Sequence, residues 1–258
     1  MAIPRVIPVL LLRKKGLVKT VRFKDHKYVG DPINAIKIFN EKEVDELCFL
    51  DIDASKEHRE PPYEYLKEIA SECFMPLSYG GAVKSLQQIQ QLIQSGIEKI
   101  VINTQAIENP SFLKEACSAF GSSTIVGALD VKKNFWGKYQ VYSHVRKNTI
   151  DVPVADQVKI FQDLGVGEIF VNNVDKDGTM EGYDISLVKS LTSAVDVPVI
   201  ACGGCGSMED ISKVVNEGGA SAAAAGSFFV FHGKHRAVLI TYPEYSSLEK
   251  IFNKDKTH

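Results

Sequence analysis

A single α/β domain, a (β/α)8 barrel built from two similar halves, is the fold predicted for this chain, and three observations predict it. The 258 residues match the ~250 typical of such a barrel. Short runs rich in Val, Ile and Leu alternate with amphipathic stretches of ten or more residues, without a linker between them. The chain also resembles itself at an offset close to half its length.

The elements follow in order. A first strand over 5–12 leads to a helix over 32–41, which opens at Gly30-Asp31-Pro32. The next strands are expected at 46–52, 76–80 and 99–103, each followed by a helix, at 62–73, 85–95 and 109–120. In the second half the strands are 124–130, 168–172, 197–202 and 221–226, and the helices 152–165, 184–194, 208–218 and 245–252. The strands are almost continuously apolar, without a clean period of two, which suits parallel strands buried on both faces. Pro32, Pro110 and Pro153 stand where helices begin, the place where a missing N–H matters least.

The repeat fixes the architecture. Asp45-Glu46-Leu47-Cys48-Phe49 resembles Gly167-Glu168-Ile169-Phe170-Val171, and Pro76-Leu77-Ser78-Tyr79-Gly80-Gly81 resembles Pro198-Val199-Ile200-Ala201-Cys202-Gly203-Gly204. The offsets are 122 and 122 to 123 residues. Each half alone would leave a sheet edge open, and joining the halves closes a TIM barrel. The domain is expected to span 1–258, with half-barrels at about 1–121 and 122–245 and a last helix running to 258. An open doubly wound sheet is the alternative, but it does not account for the repeat.

Composition excludes several classes. A net charge of −2 gives no basic field for nucleic acid and no polybasic membrane patch. The start, Met1-Ala2-Ile3-Pro4-Arg5, lacks the cleavage site of a secretory signal, and its apolar run is too short to span a bilayer, so a cytoplasmic protein is expected. Five cysteines without regular spacing argue against a disulfide framework. Cys202-Gly203-Gly204-Cys205 has no second pair to complete a zinc site, and the glycines read as a tight turn. No metal and no cofactor are expected.

In barrels of this class the active site lies at the carboxyl ends of the strands. Gly80-Gly81 with Ala82, Asn103 and Thr104 forms one candidate phosphate cradle, and Gly203-Gly204 with Gly226 and Ser227 forms another. Glycine-rich strand ends let backbone N–H groups approach an anion, although the same glycines could serve tight turns alone. Two cradles across a pseudo-two-fold axis imply a long substrate with phosphate at both ends. Asp130, after six small or apolar residues, is the candidate acid/base group; otherwise it is a helix cap or an ion pair with Lys132. Asp175-Lys176-Asp177-Gly178-Thr179 offers Asp177 as a second acid/base candidate and Gly178 as a substrate contact, unless the loop merely closes a turn.

These residues, in this order, resemble the cyclase subunit (HisF) family of imidazole glycerol phosphate synthase. The resemblance covers almost the whole chain and includes Arg5, Lys19, Gly30-Asp31-Pro32, Asp45-Glu46-Leu47, Phe49-Leu50-Asp51, Ile102-Asn103-Thr104, Asp130, Lys147-Asn148-Thr149, Asp175-x-Asp177-Gly178-Thr179-x-x-Gly182-Tyr183-Asp184 and Gly203-Gly204. It implies a lyase of histidine biosynthesis, a HisH-like glutaminase partner, and ammonia that crosses the barrel interior to a bisphosphorylated substrate. Arg5, Glu46, Lys99 and Glu168 match the charged ring that gates the ammonia entrance, though four charges at strand beginnings could equally be a structural ion-pair layer. Lys14-Lys15 and the loop to Val29 match a flexible lid, in which Lys19 either contacts the substrate or is solvated.

The chain departs from that pattern. The family uses one aspartate at the end of the first strand and one at the end of the fifth. Asp130 keeps the second, and Leu11 stands at the first. Ala82 replaces a glycine, Asp53 a small polar residue, and His144 and Cys202 serines. This pattern, with the closing segment from Gly233 to Pro243, resembles a paralogous branch that forms acetamidino sugars of surface polysaccharides with a second glutaminase and a separate amidotransferase. Two further readings stand beside it: a non-catalytic ammonia conduit that activates its glutaminase, and a stand-alone phosphosugar isomerase. His26, His58, His232, His235 and His258 lack metal-ligand spacing and receive no role.

Overall fold

Eight parallel strands close on themselves in a computed structural model of the chain, which describes residues 3–253. The strands are β1 (Arg5–Arg13), β2 (Leu47–Asp51), β3 (Leu77–Gly80), β4 (Lys99–Ile102), β5 (Ile125–Lys133), β6 (Glu168–Asn173), β7 (Val199–Cys202) and β8 (Ala222–Ala225). Each pairs in parallel with the next, β8 pairs with β1, and β5 pairs with β6 across six residues, so no edge remains open. The open doubly wound alternative is thereby excluded.

Two layers of apolar side chains divide the work. Alternate residues such as Ile7, Cys48, Val126, Phe170, Ile200 and Ala222 fill the lumen. The other set packs against the surrounding helices, with Phe39, Leu66, Leu92, Phe161 and Phe229 almost completely buried. Both faces of every strand are thus dry, which is why the strand sequences lack alternation. Helix starts follow local chemistry: Asp31 caps Pro32–Glu41 by accepting from the Asn34 N–H, and Ser85 and Ser207 cap their helices in the same manner. The last helix is described over Tyr245–Asn253; residues 254–258, including His258, and Met1 and Ala2 lie outside the described residues.

The segment expected as a lid loop forms a β-hairpin. Gly16–Val21 pairs antiparallel with the extended end of β1, and Lys24–Gly30 pairs with Gly16–Val21. A second hairpin was likewise not foreseen: β5 runs on past Asp130 to Lys133 and pairs with Tyr139–Ser143, which pairs with Asn148–Pro153. Short helices over Thr104–Glu108 and Ser227–Val230 follow β4 and β8 directly. Among the described residues no helix is long and apolar enough to cross a membrane.

Candidate active site

The segments that follow the strands carry the field of the site. Together 13–31, 51–62, 81–85, 103–109, 130–153, 174–184, 203–207 and 226–243 hold 18 of the 30 Lys and Arg but only 13 of the 32 Asp and Glu. The carboxyl face is therefore positive and the remainder of a nearly neutral chain negative, which draws anions to this end.

At that face the strand ends surround a cavity of about 180 Å3. Gly81, Ala82, Asn103 and Thr104 line one side, and Gly203, Gly226 and Ser227 the other, with Leu11, Lys19, Asp130, Asp177 and Gly178 between them. The two expected cradles thus share one pocket. Gly203 must be glycine: its φ is +95°, and a Cβ would stand 2.6 Å from the Asn173 carbonyl oxygen. Gly204 follows Gly203 at the same strand end. Its carbonyl accepts from the Gly182 N–H at 2.8 Å, so it seats the loop after β6. Ala82 adopts the left-handed φ of +55°, and its N–H is already bonded to Ser55 Oγ at 3.1 Å.

Asp130 stands where β5 leaves the barrel. Asn103 Nδ2 donates to one carboxylate oxygen at 2.9 Å and Asn172 Nδ2 to the other at 3.1 Å. Neither the cap nor the ion pair with Lys132 is present; the Lys132 ammonium lies over the Tyr142 ring. Burial pushes the Asp130 carboxyl up to about 7, against the opposing pull of the two amides. Asn172 Oδ1 is buried and has no hydrogen-bond partner among the described residues, which leaves an acceptor beside the carboxyl group.

Lys19 is buried, contrary to the solvated alternative. The hairpin turns its side chain inward, and Nζ donates to the Val9 carbonyl at 2.5 Å. Burial pushes this ammonium down to about 8, with Asp177 opposing the shift. Asp177 itself works on the hairpin: it accepts from Thr20 Oγ1 at 2.8 Å and from the Phe23 N–H at 3.2 Å. Arg236 adds a second clasp, donating to the Gly178 and Thr179 carbonyls, and Gly178 packs on the Thr20 backbone, where no side chain fits. Burial raises the Asp177 carboxyl as well.

Several lining residues escaped the sequence reading. Phe23 and His26 reach the pocket from the hairpin, and the Phe23 ring meets His144 edge-on at 5.6 Å. His144 Nε2 is 3.1 Å from the Ile52 carbonyl oxygen, and burial lowers the imidazole pKa. With the hairpin read as a loop, no periodicity marked Phe23 and His26 as inward, whereas His144 is among the pocket positions at which the sequence departs from the family pattern. The Cys202 and Cys205 thiols are free, and among the described residues no cluster could hold a metal.

The opposite end of the barrel is closed by charge. Arg5 bonds Glu46 at 2.5 Å and also Glu168, while Lys99 bonds Glu46 at 2.8 Å and Glu168 at 3.1 Å. The four residues form one alternating ring around the axis. Between this ring and the pocket lies a largely apolar lumen, with the Ser78 hydroxyl beside the Cys48 thiol next to the ring.

The comparisons agree with this picture. A model of the histidine biosynthesis protein family matches residues 5–236. A Pseudomonas aeruginosa protein provisionally named imidazole glycerol phosphate synthase subunit hisF2 is 51% identical over 95% of this chain and 98% of its own length. A similarly named HisF protein of Leptospira borgpetersenii is 46% identical over 96% of this chain and 98% of its own length. Imidazole glycerol phosphate synthase subunit HisF of Alkaliphilus metalliredigens is 39% identical over 88% of this chain and 90% of its own length. The chain belongs to the histidine biosynthesis protein family.

Proposed function

We propose that the chain is the ammonia-using, cyclase-type subunit of an imidazole glycerol phosphate synthase-like complex, working with a glutaminase partner. The observation that carries this reading is an alignment along one axis: charged ring, apolar lumen, then a pocket with a buried carboxyl group. Neutral ammonia crosses an apolar passage at little cost, whereas ammonium does not, because an unpaired ion is strongly disfavoured in a dry interior. The ring of Arg5, Glu46, Lys99 and Glu168 would admit ammonia at the amino-terminal face. Exposed Phe74 on the loop before β3 offers an apolar anchor for the glutaminase on that face.

At the pocket the two glycine cradles would grip phosphate at either end of the substrate. Asp130, titrating near neutrality, would move protons between the reacting atoms, and Asn172 Oδ1 would accept from an incoming N–H or a substrate hydroxyl. Asp177 would hold the hairpin over the bound substrate rather than transfer protons, since both of its described hydrogen bonds go to that hairpin.

Leu11 favours a second reading within the same class. It lines the pocket at the end of β1 and cannot carry a proton, so the reaction would be redirected to a different phosphorylated acceptor, as in the acetamidino-sugar branch. Steady-state turnover of the purified chain with the bisphosphorylated ribulosyl intermediate and excess ammonium separates the two. Imidazole glycerol phosphate formed at an ordinary rate supports the histidine reaction. Tight binding without turnover supports the redirected reaction, and failure to bind overturns both. Asp130→Asn addresses the pure conduit: unchanged product formation with external ammonium would establish that the barrel does no chemistry of its own.

A further inference from the structure

We propose that Lys19 is a carbonyl-reactive amine that captures a phosphorylated aldehyde or ketone as an iminium at the base of the pocket. The proposal rests on the reading of the glycine cradles as phosphate sites. Lys19 is one of the least exposed charged residues among those described, and among them its side chain bonds only the Val9 backbone carbonyl. Among the described residues no carboxylate forms an ion pair with it. The titratable groups that face it are Asp177 from the loop after β6, Cys202 at the end of β7 and Cys48 of β2. The Asp177 carboxylate is committed to Thr20 and Phe23, and burial keeps both thiols protonated at neutral pH.

A desolvated lysine without a direct ion pair, its nearest carboxylate bonded elsewhere, spends part of its time as the free amine, the form that adds to carbonyl carbon. Val9 belongs to the lumen cluster and Leu11 to the pocket, so Nζ stands at the junction of the two. A phosphate in the cradle containing Gly226 and Ser227 would hold a carbonyl carbon over this amine. The amine nitrogen adds to the carbonyl carbon and passes one of its protons to the oxygen, a second proton from the Asp130 carboxyl group or solvent lets that oxygen leave as water, and an iminium remains on Lys19. Ammonia arriving through the lumen can then add to that carbon and displace the lysine, giving the substrate iminium and the free amine.

The test uses pyridoxal 5′-phosphate, a phosphate-bearing aldehyde, with borohydride reduction, intact-mass measurement and peptide mapping of the full-length protein. A single adduct on Lys19 is expected, forming at least about tenfold faster than with pyridoxal, because the anchored phosphate raises the effective concentration of the aldehyde. The adduct should be absent in Lys19→Met and in Lys19→Arg, the second of which retains the charge. Labelling should rise with pH and level off just above 8, whereas surface lysines continue to gain reactivity toward their ordinary value near 10.4. Equal labelling of Lys19 by pyridoxal would retain the reactive amine and remove the phosphate cradle from the proposal. Labelling confined to other lysines, or unchanged in Lys19→Arg, would overturn it. So would a pyridoxal phosphate that binds, shown by displacement with inorganic phosphate, yet leaves Lys19 unmodified.

Discussion

The two ends of the barrel treat the same kinds of side chain in opposite ways. At the amino-terminal end two cations and two carboxylates alternate, and each touches both neighbours of opposite sign. At the carboxyl end Lys19 and Asp130 are each buried without an ion-pair partner, held only by neutral hydrogen-bonding groups. A closed ring satisfies its own charges and ties together the starts of four strands. Unpaired buried groups weaken the fold and drift toward neutrality, an arrangement that persists where proton transfer or nucleophilic chemistry needs it. The pocket is thus distinguished from the ring by what its charges lack.

That contrast can be broken at either end. The largest effect is expected for Asp130→Asn: product formation should fall about 100-fold or more, the contribution typical of a lost acid/base group. The same substitution should stabilise the fold, with a definite pH dependence. The folded carboxyl group titrates near 7 and the unfolded one near 3.8, so its contribution is fully present below pH 4 and is lost as the pH rises through 7. The gain in Tm of the variant over the parent should therefore be small at pH 4 and largest above pH 7. A variant that is more active, or less stable at pH 8, would contradict this assignment.

At the other end, Glu46→Gln should cost about 2 kcal/mol, between the worth of an exposed pair and that of a fully buried one, because Glu46 is almost fully buried while its partners are partly exposed. Denaturant unfolding reads this directly, and turnover with saturating external ammonium should change little. Thr20→Val removes the hydroxyl that Asp177 accepts from, a loss of about 1 kcal/mol. Amide exchange within 16–30 should speed up by roughly fivefold, with the barrel strands unaffected. The smallest effect is expected at Ala82, whose left-handed backbone suits glycine better: Ala82→Gly should stabilise by about 0.5 kcal/mol.

Much of this molecule was legible in the sequence because parallel barrel strands bury both faces. Runs such as Ile125 to Leu129 announce themselves, and the repeated Gly-Gly after the third and seventh strands marks two strand ends that line the cavity. Asp130 stood out for the same reason, as a carboxylate closing an apolar run. The hairpins did not stand out. Lys24–Gly30 is mostly exposed and polar, and it forms a strand against Gly16–Val21, which itself folds back on the end of β1. Lys19 inherits that difficulty: its burial depends on Gly16–Val21 folding back along β1, which no local pattern encodes. Gly204 is ambiguous for another reason, since a glycine needed for close approach to Gly182 reads the same as one needed for a ligand. The ring residues were individually visible at strand starts, but their pairing exists only once the barrel is closed.

One measurement bears most directly on the shared axis. The assembled complex would be given glutamine labelled with 15N at the side-chain amide, in the presence of excess unlabelled ammonium, and the isotope content of the product determined. Ammonia that travels from ring to pocket through the lumen gives product nearly as enriched as the glutamine. Product diluted to the isotope ratio of the bulk ammonium would show that ammonia reaches the pocket from solvent, and the axis through the barrel would then have no part in the reaction.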